Sequence, residues 1–166
     1  NNNAYNDDAN KNYLMNNLAT EENRLKESGT TTGANHMMGE LKDEVNRMSP
    51  EEAKKQTQDI NRRQEMIRTL DDDIKQGKGT KTFIDNRAKQ AENNVNEHAR
   101  TIQNTFERDK FVRENRAKLN KYKETMTNSI SVDKGVIKRF DTKKIAEQEK
   151  QFDFKKSDTE NKKEEA

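Results

Sequence analysis

The sequence predicts an all-α protein that is elongated and non-globular: two to three long helices with weak coiled-coil heptads, an irregular N-terminal arm and an extended C-terminal tail. Three observations carry that prediction. Only 27% of the 166 residues are hydrophobic and 39% are charged, against roughly 45–50% and 25% in an ordinary globular domain. The chain has no Trp, three Tyr and six Phe, too few large side chains to offset about 1–2 kcal/mol of backbone entropy per ordered residue. Its apolar residues recur at spacings of three, four and seven, the helical period, with a single Pro in the whole chain. On these grounds a core of ordinary size is not expected.

Residues 1–12, NNNAYNDDANKN, form a polar, Asn-rich stretch whose side chains compete with helical hydrogen bonds, and a non-helical arm is expected there. Residues 13–48 read as a broken helix. Leu14, Leu18 and Leu25 keep helical spacing, and Gly29, Gly33 and three consecutive Thr then place a hinge at 28–35. Met38, Leu41, Val45 and Met48 resume a short seam. Ser49-Pro50-Glu51-Glu52 is the clearest local signal, with a Ser cap, Pro at the first helical position and carboxylates at the positive end of the helix dipole. A capped amphipathic helix over 50–76 follows, with Ala53, Ile60, Ile67, Leu70 and Ile74 on its stripe and Gly77 and Gly79 at its end.

From Lys81 to Met126 there is neither Pro nor Gly, so residues 80–128 are expected to form one long basic helix. It would reach on the order of 70 Å. Ala88, Ala91, Val95, His98, Ile102, Thr105, Val112, Leu119 and Met126 mark a drifting heptad, interrupted by Asp109, Arg116 and Lys123, too weak for a stable homodimeric zipper. Residues 129–166 read as an extended anchor segment and a charged tail, solvated over 155–166.

Several function classes fall away. Without Cys there is no disulfide framework, thiolate zinc site or thiol nucleophile. No apolar run approaches the roughly 20 residues of a membrane span, so no membrane insertion is expected. None of the 21 Asn begins an Asn-x-Ser/Thr acceptor, which leans toward a cytoplasmic location. A calcium loop starting at Asp71 would need Gly and Glu where Gln76 and Thr82 stand, and Asp71 to Asp73 read as a solvated helix end. The segment Gly77 to Thr82 lacks the spacing of a phosphate loop, with Asp72 and Gly79 at key positions. His36 and His98 have no paired metal-site spacing. With no walls expected for a pocket that could perturb a pKa, neither enzyme activity, cofactor, metal nor small-molecule substrate is expected.

Charge points instead to partners. Residues 1–75 carry 11 basic and 15 acidic side chains, and residues 76–150 carry 18 and 11, so the second half suits an acidic surface. On a helix, Lys110, Arg113 and Lys121 share one face. Val136, Ile137, Phe140, Phe152 and Phe154 are apolar anchors in a polar background, flanked by Lys138 and Arg139. Together these ten residues are the candidate partner-binding set. The expected role is structural, lying along a protein filament or large complex. Tubulin or other coiled-coil proteins are the expected partners, within the cytoskeleton and specifically a microtubule-based cilium or axoneme. Nucleic-acid or ribonucleoprotein binding through residues 76–150 is the alternative, followed by a vesicle tether or SNARE-like bundle helix, for which the central Gln layer is out of register.

Overall fold

Several helix ends in this chain follow short capping signals, with Ser49, Asn104 and Asp141 starting helices and Gly29 and Gly77 ending them. The computed structural model describes residues 2–154. Helix α1 spans Asn2–Glu27, α2 Ala34–Arg47, α3 Pro50–Lys55, α4 Thr57–Lys75, α5 Gly79–Ala99, α6 Thr105–Ser129 and α7 Thr142–Glu149. A hairpin of β1 (Ile130–Asp133) and β2 (Val136–Phe140) follows α6, and a 3-10 turn, Lys150–Phe152, closes the described chain. The protein is predominantly helical, as its periodicity predicts.

Ser49 caps α3 as expected, its hydroxyl accepting from the Glu52 N–H at 3.1 Å. The helix over 50–76 is present with one irregularity at Gln56, which separates α3 from α4. Gly77 ends α4 with φ 74°. The Lys78 N–H reaches Asp73 O at 2.8 Å and the Gly77 N–H reaches Ile74 O at 3.0 Å, the paired bonds of a glycine C-cap. Gly29 closes α1 in the same way, through Thr30 N–H to Leu25 O and Gly29 N–H to Lys26 O. The hinge at 28–35 is thus a capped break between two helices.

Two expectations are corrected. Residues 2–12 belong to α1, not to an arm. Tertiary contacts override their weak propensity: Asn10 Nδ2 donates to Thr57 Oγ1 at 3.0 Å, and Lys11 Nζ donates to Asn46 O and Met48 O at 3.0 and 2.7 Å. The Lys11 ammonium sits where the C-terminal carbonyls of α2 favour a cation. The long helix over 80–128 is two helices, interrupted at residues 100–104. There Asn104 accepts from the Glu107 N–H at 2.9 Å, an Asn-x-x-Glu start of the capping-box type. The break lets α6 fold back onto α5, so the stripes of both helices cover each other.

The stripes meet in a shared core, contrary to the expectation that none of ordinary size would form. Helix α1 packs on α2 and α3; α4 contacts α2, α5 and α7; α6 contacts α5 and α7; and β1 lies against α5 and α6. Leu14, Leu18, Met38, Ile60, Ile67, Leu70, Phe83, Tyr122, Met126 and Phe152 are buried in one cluster. Short helices on several sides bury narrow apolar stripes that a single rod would leave wet.

The segment after Ser129, expected to be extended throughout, is extended only over its hairpin, because Thr142–Glu149 folds as α7 and Lys150–Phe152 as a 3-10 turn, and its packing partner is within the chain. Strands β1 and β2 pair antiparallel with a bulge between Ser131 and Val132. Lys134 and Gly135 turn with φ 50° and 76°, the two positive angles of a tight hairpin turn. The Ile137 N–H also bonds Thr32 O at 2.8 Å, fastening the 28–35 loop to β2. The predicted tail at 155–166 lies outside the described residues. Among the described residues no helix is long and apolar enough to cross a membrane.

Candidate functional site

Polar side chains converge where α4, α5, α6 and α7 meet. Arg87, on α5, is 5% exposed and grips Glu149 of α7 in a fork, Nε to Oε2 at 2.9 Å and Nη2 to Oε1 at 2.7 Å. The Tyr122 hydroxyl of α6 donates to the same carboxylate. From α4, Glu65 lies 3.4 Å from Arg87 Nη1, and Arg62 Nε lies 3.7 Å from Glu149. Arg62 also bonds Asp153 at 2.5 Å. One carboxylate therefore joins four helices.

Burial opposes the Arg87 charge, but the bonds and charge of Glu149 outweigh it and raise the guanidinium pKa. Burial, then the neighbouring Glu149 charge, pushes the Tyr122 phenol well above its ordinary range. The phenol is held as a donor, and the arrangement clamps helices together.

A cleft of about 600 Å³ opens beside this cluster. Asn61 and Arg62 of α4, Asn94 and His98 of α5, and Phe152 and Phe154 of the chain's last described turn line it. Phe154 stacks on His98 with ring centroids 4.9 Å apart, and Phe111 of α6 meets both rings at 5.2 and 5.0 Å. Asn94 Nδ2 donates to Phe152 O at 3.2 Å. Among the described residues no group of three or more His, Cys, Asp or Glu is placed to hold a metal ion.

A second polar cluster sits under the 28–35 loop. Asp71 is 2% exposed and accepts from Thr32 Oγ1 at 2.6 Å and Thr30 Oγ1 at 3.3 Å, with Lys75 Nζ at 3.0 Å. Asp73 is 8% exposed, and burial raises its pKa above the ordinary carboxylate value. The expected solvated helix end is therefore corrected: Asp71 and Asp73 are interior, and Asp72 alone faces water. Asp71 is there because it organises the hinge loop, a role its sequence neighbours do not reveal.

The predicted partner-binding residues divide into two groups. Lys110, Arg113 and Lys121 are exposed on the outer side of α6, and Lys138 and Arg139 are exposed on β2. The apolar members are corrected. Ile137, Phe140 and Phe152 are 4%, 8% and 1% exposed, and Val136 and Phe154 are half-buried. Phe140 meets Phe83 edge to face at 5.6 Å and Phe152 lies 5.5 Å from Tyr122. These side chains complete the protein's own core, which supplies the burial site they require. Arg87, Tyr122 and Glu149 were missed. Only Tyr122 left a trace, between Leu119 and Met126 at helical spacing.

No family model matches the chain, and no curated protein or solved structure is significantly similar to it.

Proposed function

We propose that the chain is a non-enzymatic structural protein, a helical docking module that attaches to an acidic protein surface through the outer face of α6. The observation that supports this is the make-up of that face. Phe106, 69% exposed, falls within about 80° of arc with Lys110, Arg113 and Lys121. None of these three cations has a carboxylate partner among the described residues. Over its length α6 carries seven Lys or Arg and four Asp or Glu. Unpaired cations steer an acidic surface into register, and an exposed aromatic beside them supplies apolar contact once water is excluded.

A filament with an acidic surface offers such partners at regular spacing. We take the microtubule as that filament and the cilium as its setting, by analogy of class alone. Cosedimentation with polymerised tubulin at about 50 and 200 mM salt tests the assignment. Binding should weaken at the higher salt and be lost in Lys110→Glu/Arg113→Glu/Lys121→Glu, with a smaller loss in Phe106→Ala. Cosedimentation indifferent to all four substitutions would refute docking by α6. Retention of single-stranded RNA without filament binding would favour the nucleic-acid alternative.

A further inference from the structure

Helix α1 carries an uncharged outward face in this highly charged chain. At 100° per residue, Tyr5, Ala9, Asn12, Tyr13, Asn16 and Thr20 fall within about 100° of arc, and all six are exposed. The stripe continues to Asn23 before meeting Arg24 and Glu27 in the last turn, with Asp8 at its rim. It holds no charge over about five turns, although 39% of the sequence is charged. Tyr5 and Tyr13, 75% and 66% exposed, are two of the three large exposed hydrophobic side chains among the described residues. Tyr with Asn and Thr is a contact chemistry that gives large rigid area and adaptable hydrogen bonds at low entropic cost.

We propose that this stripe is a homodimer interface, in which α1 packs antiparallel against α1 of a second copy across a twofold axis at Ala9. Three features select a second copy as the occupant. A neutral stripe gains nothing from a charged partner surface, whose Lys or Glu side chains would be desolvated without partners. The amides of Asn12 and Asn16 each donate and accept, so an Asn-lined face is complementary to itself. Tyr5 and Tyr13 stand eight residues apart, about 12 Å along the axis, with Ala9 midway. A twofold at Ala9 therefore sets each Tyr5 beside the other copy's Tyr13, as an isologous interface requires. The Ala9 methyl is small enough for helix axes to approach within about 8–10 Å. One helix face buries less than the roughly 800 Å² per partner of a standard interface, so the dimer is concentration-dependent.

Sedimentation velocity from about 1 µM to about 500 µM tests this, with the full chain and with Tyr13→Glu. The wild type should pass from monomer to dimer, unchanged by salt because the stripe is uncharged. Tyr13→Glu should weaken association by about tenfold or more. The Tyr13 side chain is exposed, and an unchanged circular-dichroism melt verifies folding of the variant. Because the chain has no Cys, a single thiol reports the axis directly: Ala9→Cys should form a disulfide-linked dimer under mild oxidation. Thr20→Cys, about 33 Å from its counterpart in this arrangement, should not. Equal cross-linking at both positions, dimerisation indifferent to Tyr13→Glu, or a monomer throughout the range would each overturn the proposal. The last outcome would leave the stripe to an uncharged helix of a different protein. The interface is independent of α6 docking, since it should resist the salt and the charge reversals that abolish tubulin binding.

Discussion

Glu149→Ala removes the carboxylate that receives Arg87, Tyr122 and the approach of Arg62. Arg87 is 5% exposed, so the variant leaves a guanidinium without its bidentate partner in a site that water scarcely reaches. Breaking a buried ion pair from one side costs about 3–5 kcal/mol, against a total stability of about 5–15 kcal/mol for a domain. At about 2–4 °C per kcal/mol for a chain of this length, the melting temperature should fall by roughly 10 °C. Arg87→Met/Glu149→Leu removes both charges and replaces them with apolar volume. Its remaining penalty is the Tyr122 hydroxyl without an acceptor, about 1–3 kcal/mol. The double variant should therefore be more stable than the sum of the single losses predicts, by about 2 kcal/mol or more. Urea unfolding followed by circular dichroism at 222 nm measures wild type, Glu149→Ala, the double variant and its two single variants Arg87→Met and Glu149→Leu, with constant m as the check on a common unfolded state. Single losses that add to the double within about 0.5 kcal/mol, or a Glu149→Ala loss under about 1 kcal/mol, would show that this carboxylate does not fasten the helices.

Tyr122 supplies a pH test: its folded phenol pKa is raised, by burial first and the Glu149 charge second. The stability it contributes is intact below the unfolded tyrosine value of about 10 and is lost as pH rises beyond it. Urea midpoints between about pH 9 and 11 should thus fall more steeply in wild type than in Tyr122→Phe. Asp73 carries a carboxylate oxygen that is buried without a hydrogen-bond partner, and its folded pKa is raised by burial. Its contribution is greatest below the ordinary value of 3.8 and declines as pH climbs through the raised one. Asp73→Asn should therefore stabilise by about 1 kcal/mol at neutral pH, and the same unfolding assay should show that gain vanish toward pH 3. Asn104→Ala and Ser49→Ala should each cost about 0.5–2 kcal/mol, with faster amide hydrogen exchange confined to residues 105–111 and 50–56 respectively.

Local chemistry was legible wherever neighbouring residues decide the backbone. Ser49-Pro50 starts a helix because a hydroxyl, a fixed φ and two carboxylates act within one turn, and Gly77 ends one because its φ of 74° is open to glycine. The Asn104-x-x-Glu107 signal is of the same kind, and it divides a stretch that, free of Pro and Gly, reads as one helix. Lys110, Arg113 and Lys121 were placed on one face because helical spacing alone sets their direction.

Composition misled because it counts apolar residues without knowing how many surfaces will share them. Each stripe is too narrow for a rod in water. Leu18, Ile67, Phe83, Tyr122 and Phe152 come from five segments and are all buried together, so several helices cover one small volume. The same long-range packing assigned Ile137 and Phe140 to the core instead of to a partner, and turned the Asn-rich start into helix by giving it α2 and α3 to lie on. It also chose Arg87 and Glu149, 62 positions apart, from 33 basic and 31 acidic side chains. An ion pair of that separation has no signature in the intervening sequence, because its geometry exists only after four helices have met.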